Sequence, residues 1–219
     1  MNDTHGSGGL PAHHPFSPMP RGFKTVMQEY EQAIARPSMN KRGFELFSTA
    51  WKVKRMARAL AAHPLAVHEL IGVARALRNT TGPGSASGEW DLLKSFTLVA
   101  MDCRDLIDPD DDWEPLAGFD RIGELPSEKQ PCFEVLRLLC DYAYECLAHA
   151  KPRDYAAGQR RCHAFEILSY GVWIVDLPEA VELAEAALDR GRGPAVSGAQ
   201  EFLDAYERRE GPTGDLFEL

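Results

Sequence analysis

Four carboxylates near the C-terminus have the types and spacing to do chemistry. Glu182 and Glu185 lie three apart, and after fifteen further residues come Glu201 and Asp204, again three apart. On two adjacent helices such pairs can hold magnesium, because a hard divalent cation must be surrounded by oxygens converging from both sides. A metal held this way would polarise a phosphoryl oxygen and activate a water. Helical phase decides whether they converge. At about 100° per residue, Glu179, Glu182, Glu185 and Asp189 form one stripe opposite Ala184, Ala187 and Leu188. On the next helix Glu201 lies opposite Ala199, Leu203 and Tyr206. Both acidic stripes therefore point away from the faces that should bury, which assigns them to solvent, with no metal or cofactor expected.

Two resemblances attach to this stretch. The paired carboxylates resemble the acidic signature of MazG-like all-α nucleotide pyrophosphatases, which implies magnesium-dependent hydrolysis with Glu182, Glu185, Glu201 and Asp204 as metal ligands. Residues 177–209, "LPEAVELAEAALDRG" followed by "GPAVSGAQEFLDAYERR", resemble instead a HEAT or armadillo-type helical repeat. In "HPLAVHEL", Pro64, Ala66 and Val67 echo Pro178, Ala180 and Val181. What this second resemblance implies is a surface for binding other proteins, with no chemistry of its own.

A second acidic group lies in "DLIDPDDDWEPLAGFD". Asp108, Asp110 and Asp112 match the first ligand positions of a calcium loop, but Trp113 replaces the glycine at position six and Phe119 the glutamate at twelve. The coordination sphere does not close. Asp110, Asp111, Asp112 and Trp113 read better as an acidic loop with an aromatic anchor that captures a basic partner. The five cysteines contain no close pair. Cys132, Cys140 and Cys146 share a face with Leu136, Leu139, Ala143 and Leu147, so they are expected in the core.

The segment "FELFSTAWKVKRMARAL" combines aromatic and basic residues. Phe44, Phe47 and Trp51 share a side with Lys54, Arg55 and Arg58, while Leu46, Val53, Met56 and Leu60 make a separate apolar side. Aromatics interleaved with cations can stack on bases, contact phosphates or settle at a membrane surface. The expected outcome is otherwise: a helix buried on two sides, its cationic side chains snorkelling past the aromatics.

Helices must position all of these groups. Apolar spacing predicts about eight of them, with no convincing alternation of period two, and hence an all-α fold of antiparallel hairpins. The alternatives within that class are an irregular bundle and a short HEAT-like solenoid. Expected helices cover 23–36, 41–62 and 64–78, then 89–107, then one capped by Ser127 with Gln130, one capped by Asp154, and two that begin near Pro178 and Pro194. His63, at the start of the third helix, is expected to cap it or to sit on the surface. The first twenty residues and the last nine lack periodicity and are expected to be tails. Residues 79–88, "NTTGPGSASG", read as a linker between a basic segment 21–78 and an acidic domain 89–210.

Charge sharpens that division. The net charge is −9, yet residues 1–88 carry 11 Lys and Arg against 5 Asp and Glu, and the remainder 13 against 28. An acidic surface of that size repels nucleic acid and speeds encounter with a basic partner. No run reaches the roughly 18 apolar residues of a membrane span, and neither a signal sequence nor a disulfide pattern is evident, so a cytoplasmic location is expected. Together these features predict a non-enzymatic helical protein that binds a protein partner.

Overall fold

The computed structural model describes residues 19–36, 39–79, 85–107, 119–148 and 155–209. Among them the chain is all-α, as the spacing predicts, with no β-strand. The helices are α1 (Phe23–Ala35), α2 (Met39–Arg55), α3 (Ala57–Leu60), α4 (Pro64–Asn79), α5 (Ser85–Ile107), α6 (Gln130–Ala148), α7 (Tyr155–Gly171), α8 (Pro178–Asp189) and α9 (Ala195–Arg209). A 3-10 turn spans Phe119–Glu124. Outside the described residues lie nearly all of the expected N-terminal tail, the C-terminal tail, the cap Asp154, and the loop carrying Asp110, Asp111, Asp112 and Trp113.

The expected helix 41–62 divides in two. Met56 leaves helical geometry, with φ −102° and ψ 1°, and its amide bonds Val53 three residues back at 2.9 Å. The apolar side nevertheless continues through the break, since Leu46, Val53 and Leu60 are all buried. His63 caps the next helix, its Nδ1 accepting the Ala66 amide at 3.2 Å. The capping box expected at Ser127 is not formed. The Gln130 amide instead donates to the Pro126 carbonyl, its side chain donates to the Leu125 carbonyl, and the Ser127 hydroxyl turns to Glu128. Winding has already begun at Pro126, so Ser127 comes too early in the turn to cap.

Helix α5 is the centre of the fold. It packs against α2, α3, α4, α6 and α7, burying Leu92, Leu93, Phe96, Val99, Ala100, Cys103 and Ile107. A solenoid repeat touches only its neighbours in the stack; a hub helix with five partners makes an irregular bundle. The basic and acidic segments bury their apolar residues in one continuous core. The expected linker is shortened accordingly, because α4 runs to Asn79 and α5 starts at Ser85. Gly88, at its end, is a packing residue: a Cβ there would meet Leu46 Cδ1 at 2.7 Å, so glycine lets α2 and α5 come together.

On the far side of α5, α7 carries the chain into the last hairpin. Its second half is nearly all buried, from Ala164 to Leu168 and on through Val172, Ile174 and Val175, with Glu166 half-buried within it. Helix α9 lies closely along α7, and α8 packs chiefly on α9. Packing can be followed from α2 through α5, α7 and α9 to α8, with α1 also lying on α2.

Candidate functional site

Helix α2 sends Leu46, Ala50 and Val53 into the core against α5, with Thr49 beside them. Its opposite side is uncovered. Phe44 is 73 % exposed, Phe47 52 % and Trp51 49 %, in one row along the helix. The expectation that α2 is buried on two sides is thus corrected: α1 and α5 occupy its other faces, and no described helix lies over the aromatic row. Three large aromatics side by side in water exceed the scattered exposed apolar residues of an ordinary surface.

Cations continue the row. The Lys54 ammonium lies 5.5 Å from the centre of the Trp51 ring, a cation–π distance. Arg55 is exposed at the end of α2, and Arg58 is exposed beyond the break at Met56, near Asp102 of α5. Beside the row, an open groove of about 230 Å³ between α1 and α2 includes Glu29, Arg36, Phe44, Glu45 and Lys52. Arg36 Nε lies 3.3 Å from Glu45, and Lys52 pairs with Glu29, so ion pairs between the two helices occupy it. A groove this small and polar is not shaped for a buried ligand.

A second cluster, missed in the sequence, is internal. Glu89 is fully buried in α5. Arg160 of α7 donates to both of its oxygens, Nε at 2.9 Å and Nη2 at 2.8 Å. Arg78 of α4 adds a bond at 3.1 Å, and the Tyr142 hydroxyl of α6 another at 3.3 Å. Arg78 also bonds Glu145 at 2.9 Å, and Arg75 reaches the same carboxylate at 2.7 Å. Four helices thus meet on one carboxylate, which accepts three bonds at Oε1 and one at Oε2. Burial works against the charge on Arg160, but the hydrogen bonds and charge of Glu89 outweigh it and raise its pKa. Burial also pushes the neighbouring Cys146 thiol up to about 12. The cluster locks the bundle and offers no nucleophile. The sequence marks Glu89 only as the first residue of an expected helix.

Other candidates fall into place individually. Cys103, Cys132, Cys140 and Cys146 are buried free thiols, as expected of core residues, and Cys162 is half-buried. Burial and then the neighbouring Glu166 raise the Cys162 pKa further than Ser197 and the Gly198 amide lower it, which argues against a nucleophile. His163 Nδ1 sits 2.7 Å from Glu166 Oε2 within α7. Glu182, Glu185, Glu201 and Asp204 are all exposed, as helical phase predicts. Asp204 accepts a bond from Gln200 at 2.7 Å. No group of three His, Cys, Asp or Glu side chains suited to a metal occurs among the described residues. No described helix is long and apolar enough to cross a membrane. The chain matches no protein-family model, no curated protein and no solved structure.

Proposed function

We propose that the protein acts by binding a protein partner, with the uncovered side of α2 as its principal contact, and catalyses no reaction itself. The observation that carries this reading is the exposed row of Phe44, Phe47 and Trp51. Aromatics give large contact area at low entropic cost and dominate binding energy where they are desolvated by a partner. Lys54, Arg55 and Arg58 extend the row and would orient an acidic partner surface. The exposed acids of α8 and α9 form a second charged face, suited to a basic partner.

Nucleic acid and anionic membranes fit less well. Beyond these cations the chain is strongly acidic, with a net charge of −9, and its field opposes approach to a polyanion. Amine cross-linking with mass spectrometry tests the reading, because Lys41 and Lys52 are exposed on α2. Cross-links from these lysines to another protein chain should disappear in a Phe44→Ser, Phe47→Ser, Trp51→Ser variant. Identical cross-link patterns for the two proteins, or retention on heparin abolished by Arg55→Ala with Arg58→Ala, would overturn it.

A further inference from the structure

Two exposed charged faces lie on α2 and α8, helices that do not pack closely on each other. Residues 39–60 of α2 and α3 hold Lys41, Arg42, Lys52, Lys54, Arg55 and Arg58 against the single acid Glu45, although Lys52 pairs with Glu29 of α1 and Lys54 and Arg58 lie near Asp91 and Asp102 of α5. Helix α8 holds Glu179, Glu182, Glu185 and Asp189 with no basic residue, and α9 holds Glu201, Asp204 and Glu207 beside Arg208 and Arg209, with Arg190 and Arg192 in the turn between the two helices. All seven of those acids are exposed. Each helix also presents apolar surface: Phe44, Phe47 and Trp51 on α2, and on α8 Leu183, 41 % exposed, one turn on from Glu179. Within one molecule α5, α7 and α9 intervene in the packing between the two helices.

We propose that the aromatic and basic face of α2 docks on the acidic face of α8 and α9 of a second copy of this chain. The inference rests on the reading of α2 as a contact surface and names its occupant. Charge complementarity favours this occupant, because α8 presents exposed acids that the exposed Arg55 and Arg58 can meet. Both halves of the contact are present in every molecule at equal concentration. Such a contact is heterologous: each copy uses one of its two faces and leaves the other open, so assembly proceeds to rings or open filaments rather than stopping at a symmetric dimer. Exposed charges dominate the rim, so added salt should weaken the contact.

Sedimentation velocity over a concentration series tests this with two variants of the full chain. One carries Phe44→Ser and Trp51→Ser, the other Glu182→Gln and Glu185→Gln. All four positions are exposed, so both variants should melt like the parent protein. The parent should assemble beyond a dimer at low salt and dissociate in high salt. Each variant alone should stay monomeric at the concentration where the parent assembles. Mixing the two should give a one-to-one dimer and nothing larger, because one intact α2 face then meets one intact α8 face. A parent chain that is monomeric throughout would overturn the proposal, as would variants that assemble like the parent or a mixture that stays monomeric. Should the parent be monomeric while aromatic-dependent cross-links to a different protein persist, self-docking fails and the α2 contact surface stands. Loss of both would remove the two together.

Discussion

Replacing Glu89 by alanine would leave the Arg160 and Arg78 guanidiniums facing a gap inside the bundle. Removing one partner of a buried ion pair costs about 3–5 kcal/mol, because the remaining charge stays desolvated. We expect urea denaturation of Glu89→Ala to show a loss of that size, and a Glu89→Gln variant to recover only part of it. An unchanged midpoint would mean that the four-helix junction does not depend on this carboxylate. The thiols make a second test of individual burial. Cys103 and Cys140 are fully buried and their pKa values are pushed well up by desolvation. A disulfide reagent applied to the native protein should therefore label Cys162 first and leave Cys103, Cys132, Cys140 and Cys146 until unfolding. The core placement of Cys132, Cys140 and Cys146 could be read from helical phase, since their neighbours along one face are apolar. The role of Glu89 could not, because its partners lie 11, 53 and 71 residues away in sequence.

Helices α7 and α9 approach each other through Gly198. A Cβ at that position would lie 2.7 Å from the Cys162 carbonyl oxygen and 2.9 Å from its Cα, which are backbone atoms with no freedom to swing aside. Gly198→Ala should therefore part the two helices and destabilise the protein by about 1–3 kcal/mol, as overpacking does. The midpoint of thermal unfolding checks it, and a rise would contradict the close approach. Between α4 and α6 the link is electrostatic. Burial works to raise the Glu145 carboxyl, but Arg75 and Arg78 outweigh it and hold its pKa below the ordinary value. A depressed carboxyl stabilises the fold above its unfolded pKa of about 4.3, and this contribution disappears as pH falls through the lower folded value. Stability of the parent should therefore drop more steeply on acidification below about pH 5 than that of Glu145→Gln. Equal slopes would show that the arginines do not discriminate between the charged and neutral forms.

Across the molecule, the contrast between the inner and outer aromatics is the sharpest test of the surface assignment. Phe96 is fully buried and stands edge-on to Tyr142 with ring centres 6.0 Å apart, so Phe96→Ala should cost about 3–5 kcal/mol. Phe44→Ser, by contrast, should change stability by no more than about 0.5 kcal/mol, as exposed positions do. Paired denaturation curves would expose a hidden second packing face on α2 if the two losses were alike. By itself the sequence determined the helical class, most helix boundaries, the core side of α6 and the solvent side of the α8 and α9 acids. Those features follow from a local period of 3.6 residues, from proline and glycine at helix ends, and from composition. Only the tertiary structure decided that α5 is the hub, that Gly88 lies within a helix, that Glu89 joins four helices, and that the Phe44, Phe47 and Trp51 row remains in water. Periodicity says which residues share a face of a helix. Whether another helix covers that face depends on contacts far apart in the chain, which no local pattern records.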